Sequence, residues 1–234
     1  EILSSQQRIS IDTETTSLKP RSAELVGYSF AWEPGRAVYV PVRAPAGEPQ
    51  LALDLVNEKL RPLLEDPKIE KIGQNIKYDM VVLRSHGIYL RGIAFDTMVA
   101  DYLLDPGQRN HGLDDLARRY LNHTNMSIKD LIGSGKNQKQ MDEVPVDQVT
   151  PYAAEDADVP LRLTAILEER LREEGLFELF QTVEIPLIEV LAELEFNGIR
   201  VDAKRLQQLG TRFGDRLEDL QAQIYDLAGS EFNV

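Results

Sequence analysis

Asp12-Thr13-Glu14 sets two carboxylates two residues apart at the end of an alternating segment, Arg8-Ile9-Ser10-Ile11-Asp12. Residues two apart on a strand face the same side. Two carboxylates so placed can grip one hard divalent cation, which prefers oxygen ligands. About one Asp-x-Glu arises by chance in a chain of this length, so the pair gains meaning only from company. Asp79 ends the run Gly73-Gln74-Asn75-Ile76-Lys77-Tyr78-Asp79, a strand-to-helix junction. There it either points toward the strand ends or simply favours the positive end of the helix dipole. Asn75 has a plain use as the cap of that helix. Tyr152 and Asp156, four residues apart, share a helix face. A phenol and a carboxylate together can orient a water against a cation. Glu155, Asp156 and Asp158 also read as an ordinary acidic helix start.

The elements that must position these residues follow from pattern. Arg8 to Asp12, Glu24 to Trp32 and Ala37 to Val42 read as strands, the last two separated by the turn signal Pro34-Gly35. Together they predict an antiparallel meander, with the first strand half-buried. Leu51 to Leu64 carries apolar residues at helical spacing, Lys68 to Gln74 has β character, and Asn75 to Ser85 is helical. Asp96 to Leu104 is helical with Asp96-Thr97 as its cap, and Gly112 to Leu121 is helical again. Ser127 to Val144, with Gly133 and Gly135, is loop around a short helix. Val149 to Glu173 is a long helix, in which Pro160 predicts a kink or a shortened first turn. Strands first and helices later imply an α/β domain with a mixed sheet and flanking helices.

Composition shifts near Gly175, dividing residues 1–174 from 175–234. Beyond it two amphipathic helices meet at Asn197-Gly198 and read as a helical hairpin. The second carries Leu206, Leu209, Phe213, Leu217, Leu220, Ile224 and Leu227 on one stripe, capped by Asp202 and ended by Gly229. The stripe is read as closing that hairpin within the chain, not as a surface for a partner.

The bulk numbers set limits. A chain of 234 residues, 42% hydrophobic and 28% charged, is an ordinary globular composition. No apolar run approaches the roughly 18 residues of a membrane span. The chain has no cysteine, which excludes disulfides, thiolate metal sites and cysteine nucleophiles. It begins at Glu1 rather than Met and ends at Val234, and is expected to be a piece of a longer protein. The net charge of −13 counts against a nucleic-acid partner. Carboxylates that gather cations reverse the local sign, so charge alone does not decide. Gly133-Ser134-Gly135-Lys136 fails the spacing of a nucleotide-binding phosphate loop, since Asp130 and Asn137 stand where Gly and Ser or Thr belong. His86, His111 and His123 are scattered and read as surface or hydrogen-bonding residues, and Trp32 as core.

The segments IDTETTSL, GQNIKYDMVVL and YAAEDADV resemble, in order, the three motifs of the DEDD exonucleases, with Tyr152 marking the tyrosine branch. HGIYLRGIAFDTMVADYLL and GSGKNQ are similar to the proofreading domain of family A DNA polymerases of the bacterial polymerase I type. EIPLIEVLAELEFNGIRVD resembles the opening of the polymerase region, where a helical hairpin begins the thumb.

The resemblance implies an RNase H-like fold and 3′→5′ removal of nucleotides from DNA with two divalent ions, Mg2+ or else Mn2+ or Zn2+. It implies that Asp12, Glu14 and Asp156 hold one ion, that Asp12 and Asp79 hold the second, and that Tyr152, helped by Glu14, positions the attacking water. Thr13, Leu18, Gln74, Asn75, Tyr78, Ile128 and Lys136 would meet the strand, Leu18 as a wedge beside the terminal base and Lys136, with Lys139, at phosphate. The family's pattern has a Phe where this chain has Ile128. An aromatic stack on a base is worth roughly 1–3 kcal/mol, so the resemblance implies a weaker grip on the strand end. The implied partners are a single-stranded 3′ end or primer–template DNA and the rest of a polymerase chain. The implied setting is a monomer in the bacterial cytoplasm near the nucleoid. Two other readings stand beside this one: a silent spacer of a polymerase, and a stand-alone exonuclease acting on RNA.

Overall fold

β1 (Arg8–Thr15) lies at the centre of a five-stranded sheet. β2 (Leu25–Glu33) and β3 (Arg36–Pro41) extend the sheet antiparallel on one side, as the predicted meander requires. β4 (Glu70–Gly73) and β5 (Ile93–Asp96) extend it parallel on the other. The order is β3-β2-β1-β4-β5, a mixed sheet. The computed structural model describes residues 2–233 and all their side chains except that of residue 137. Glu1 and Val234, the ends considered above, lie outside the described residues.

The alternation in β1 is not the signature of a half-exposed strand. Ile9, Ile11 and Ser10 are all buried, because a central strand is covered on both faces. Parallel neighbours need crossovers, and helices supply them: α1 (Leu53–Leu64) leads into β4, and α2 (Ile76–Ser85) leads toward β5. β5 is four residues long, too short for its period to separate it from the helix that follows. α3 (Thr97–Leu104) follows at once, then α4 (Leu113–Leu116) with a π turn at Ala117–Leu121. The loop from Ser127 holds the short α5 (Ile128–Ile132) and two 3-10 turns.

α6 (Val146–Glu173) starts earlier than the sequence predicts and runs as one helix through both Pro151 and Pro160. Packing explains the tolerance. Val159, Leu163, Leu167 and Leu171 of α6 are fully buried in the core with Ile11, Phe30 and Phe95 of the sheet. Each such side chain contributes about 2 kcal/mol of burial, which offsets the hydrogen bond that Pro160 cannot donate.

α7 (Phe177–Leu179) passes through a π turn into α8 (Ile185–Asn197). Phe180, Ile185 and Ile188 join the same core, so by packing the first compact unit reaches Phe196. α8 is tied to α2 by ion pairs of Glu195 with Lys77 and of Glu193 with Arg84, whose guanidinium lies 4.2 Å over the Phe196 ring.

Residues 197–234 form a second unit containing α9 (Ala203–Ala228). Asp202 accepts from the Arg205 amide and Gly229 ends the helix in a left-handed conformation, as the sequence indicates. The stripe differs from expectation. No residue of α9 is buried, and Leu206, Phe213, Leu217 and Leu227 are more than half exposed. A lone amphipathic helix hides its apolar face only against a partner element.

Candidate active site

Three carboxylates meet at the C-terminal end of β1. Asp12 and Glu14 project from one face of the strand, and Asp156 reaches them from α6. Oxygens of the three lie within 4.8 Å of one another. In the ladder with β2, Asp12 stands opposite Ser29, whose hydroxyl donates to it at 3.4 Å, and Glu14 stands opposite Gly27. The glycine leaves room there for an aromatic ring. A β-carbon at residue 27 would overlap the ring of Tyr39, and the Tyr39 phenol is pushed up by burial and then by the charges of Glu14 and Asp12.

Asp79 comes from the first turn of α2 and is buried. The Thr13 hydroxyl donates to its Oδ1 at 2.5 Å. The sequence offered Asn75 as the cap of α2, but Asn75 adopts a left-handed conformation (φ +55°) and its side chain caps nothing. Asp96 takes that place. Its Oδ2 accepts from the Ile76 amide at 2.7 Å, while its Oδ1 accepts from Met98 and Val99 at the start of α3. One carboxylate at the end of β5 therefore caps two helices, and the Asn75 side chain is left to the cleft.

Burial and mutual repulsion set the electrostatics. Desolvation raises the Asp12 carboxyl to about 6, against the opposing help of Ser29. Glu14 is held well above its ordinary value by burial, then by Asp12, Asp156 and Asp79. Asp79 is raised by burial and by Asp12, and Asp156 by burial and by Asp12, with Tyr152 working against the shift. The Tyr152 phenol is itself raised by burial and by Asp156. Among the described residues none of these four carboxylates joins an ion pair. Glu14 Oε1 is buried without any hydrogen-bond partner. Carboxylates gathered here without a cation, one of their oxygens without any donor, are a set suited to divalent metal.

The carboxylates and Tyr152 line an open cleft of about 570 Å3. Thr13, Leu18, Gln74, Asn75, Tyr78 and Ile128 form its walls, so six of the seven residues implied as strand contacts come together there. Lys136 does not line it; it sits exposed on the turn Gly135–Asn137. Leu18 is 92% exposed at the rim. Tyr78 is fixed by Thr15 at 2.5 Å and by the Ser17 carbonyl at 2.6 Å. A larger groove of about 820 Å3 beside Trp32, Val38 and Leu60 has an apolar lining with only Lys59 and Asp66 charged, so size does not mark the site. Trp32 itself is half-buried against the core.

Several supporting residues carry no sequence signal of their own. Glu155 accepts from His123 at 2.8 Å and from the Met126 amide at 2.6 Å, tying down the segment that leads to Ile128. Asp158 accepts from the Gly35 amide at 2.6 Å and pins the β2–β3 turn. The acidic run around Asp156 thus divides into one site residue and two anchors. Met98, Gly112 and Leu113 also line the cleft without belonging to any of the three motifs.

This arrangement of strand-end carboxylates and a helix Tyr-Asp pair agrees with the sequence profile of the 3′-5′ exonuclease family, which matches residues 1–172. The chain belongs to that family. It is similar over nearly its whole length to DNA polymerases I. It is 44% identical to DNA polymerase I of Pseudomonas aeruginosa over 237 residues, covering 99% of this chain and 26% of that protein. It is 40% identical to DNA polymerase I of Rhizobium leguminosarum, covering 97% and 24%. The chain thus spans about a quarter of the length of these relatives.

Among solved structures, the POL domain of Pol1 from M. smegmatis in complex with DNA primer-template and dNTP matches with a TM-score of 0.80. That match has 27% identity and covers 99% of this chain and 36% of that one. Brucella melitensis NrnC bound to pGG matches at 0.65 with 25% identity, covering 85% of this chain and 91% of that one. The exonuclease fold is a mixed sheet flanked by helices, followed here by a C-terminal helical region. Among the described residues no helix is long and apolar enough to cross a membrane.

Proposed function

We propose that the domain hydrolyses the last phosphodiester of a DNA strand at its 3′ end, as a proofreading activity. The observation that carries this reading is the convergence of Asp12, Glu14, Asp79, Asp156 and Tyr152 at the floor of a cleft rimmed by Leu18, Tyr78 and Ile128. Asp12, Glu14 and Asp156 would hold one divalent ion and Asp12 with Asp79 a second, with Mg2+ the natural occupant of an all-oxygen site and Mn2+ or Zn2+ able to replace it. Such ions, when bound, supply positive charge for the attacking and leaving oxygens of an in-line displacement.

The chain's own groups do the rest. Tyr152, held by its helix beside Asp156, and Glu14 orient the attacking water. Leu18 sits against the terminal base, while Gln74, Asn75, Tyr78 and the backbone at Thr13 grip the last nucleotides. Water oxygen bonds to phosphorus, the bond to the neighbouring 3′ oxygen breaks, and a nucleoside monophosphate leaves. Lys136, outside the cleft, would meet phosphate further along the strand.

We assign residues 175–234 to the opening of the polymerase region. The partners that follow are single-stranded 3′ ends, primer–template DNA and the rest of a polymerase, with the domain acting as a monomer in the bacterial cytoplasm. A stand-alone exonuclease acting on RNA is the alternative to exclude.

The test is degradation of a 5′-labelled single-stranded DNA with Mg2+ or with EDTA, beside Asp156→Ala. Stepwise shortening from the 3′ end, lost in EDTA and in the variant, is the expected result. A folded protein that leaves the strand intact, and binds no Mg2+ by calorimetry, is a spacer. Equal or faster trimming of RNA would favour the second reading.

A further inference from the structure

We propose that Asp101 is a positioning residue for the wall of the cleft formed by Gln74, Gly112 and Leu113. This rests on the reading above that the cleft takes a single-stranded 3′ end. Asp101 lies on α3, one turn beyond Met98, and is fully buried. Its Oδ1 accepts from Arg119 at 2.7 Å and from the Tyr120 hydroxyl at 2.6 Å, and its Oδ2 pairs with His111 Nδ1 at 2.6 Å and Arg119 at 2.9 Å. A buried carboxylate persists as a charge only when paired and hydrogen-bonded in this way. The π turn at Ala117–Leu121 presents the adjacent residues Arg119 and Tyr120 to the same carboxylate.

The cluster reaches the cleft through backbone. The Asn110 carbonyl accepts from Arg119 at 3.3 Å, and the His111 carbonyl accepts from Gln74 Nε2 at 2.8 Å. Gln74 in turn accepts from the Thr97 hydroxyl at its other end. Asn110 and His111 lie in the link between α3 and α4, outside any regular element, and side chains hold both carbonyls. Gly112 and Leu113, the next two residues, line the cleft. With Asp101 removed, His111 and Arg119 lose their common anchor, and Gln74 loses the fixed carbonyl that orients it. Among the described residues none of these groups hydrogen-bonds or pairs with Asp12, Glu14, Asp79 or Asp156. The loss therefore falls on the grip of the strand and not on the hydrolytic step.

The test uses the whole chain with three variants: Asp101→Asn, His111→Phe, and His111→Asn, which keeps an N–H donor where Nδ1 stood. Steady-state cleavage of a labelled DNA strand separates kcat from KM. The Kd of a strand ending in a hydrolysis-resistant phosphorothioate is measured in parallel. Losing a charge-assisted hydrogen bond that orders the wall should raise KM and Kd about tenfold in Asp101→Asn and His111→Phe, with kcat within about twofold and His111→Asn close to wild type.

Unchanged KM and Kd overturn the proposal, as does a fall in kcat alone. If Asp101→Asn does not fold, His111→Phe and its rescue by His111→Asn carry the test. A wild-type chain that binds the strand without cleaving it overturns the nuclease reading; weaker binding by the variants would still support the positioning role. A wild-type chain that neither binds nor cleaves overturns both.

Discussion

At the scale of single residues, the site is an energetic liability until a cation arrives. Asp12 is raised to about 6 in the folded protein, from a value near 3.8. The folded state holds that proton more tightly than the unfolded chain does. Its contribution to stability is therefore complete below about pH 4 and is lost as the pH rises through 6. In EDTA, Asp12→Asn is expected to unfold at the same temperature as wild type near pH 4 and at a higher one above pH 7. The gain should be about 1–2 kcal/mol, less than the full shift implies because Asp12 is only half-buried. Thermal melts at the two pH values check this, and Mg2+ should reverse the order of the two proteins. Thr13 gives a second prediction. Its hydroxyl is a donor to Asp79 and holds that carboxyl down. Thr13→Val should lower kcat about tenfold and raise the Mg2+ concentration needed for half activity, with KM for the strand little changed. A titration of rate against Mg2+ distinguishes this from a defect in strand binding.

The elements show what pattern can and cannot reveal. The meander, α2, α3 and the cap of α9 were legible because period, turn residues and capping residues act locally. β5 was not, since four residues before a helix carry too little period. Pro160 does not end or shorten α6: burial of Val159, Leu163, Leu167 and Leu171 outweighs a lost backbone bond. Asp12, Glu14, Asp79, Tyr152 and Asp156 each have an ordinary reading alone and stood out only through the resemblance of three ordered motifs; the structure brings them to one cleft. Their anchors were not legible, because Gly27 answers to Tyr39 and Asp96 answers to a helix twenty residues away. The double cap makes a prediction at this scale. Asp96→Ala leaves both helix starts without an acceptor and should cost about 2–4 kcal/mol, twice the loss of a single cap. Urea unfolding measures it; a cost under 1 kcal/mol would show that water replaces both bonds.

The whole molecule divides into a unit that carries the site and a helix that buries nothing. Residues up to Phe196 include every member of the core and of the cleft. A chain ending at Phe196 is therefore expected to melt within about 2 °C of the full chain and to keep its metal-dependent cleavage, since surface losses of this kind cost under about 0.5 kcal/mol. Calorimetry on the two chains decides it, and a large drop would mean that α9 supports the domain. The charge of −13 belongs to this scale too. A chain with this excess of acidic residues should neutralise few phosphates, so its strand affinity should fall only shallowly with salt.

The double cap at Asp96 also bears on moving this cleft to another scaffold. A graft limited to the three acidic motifs would leave that carboxylate behind, because it sits between two of them in sequence. The transplanted helices would then pivot separately, one carrying Asp79 and Tyr78 and the other Met98. Asp96 is the hinge pin of the cleft, and any portable version must include the strand that holds it.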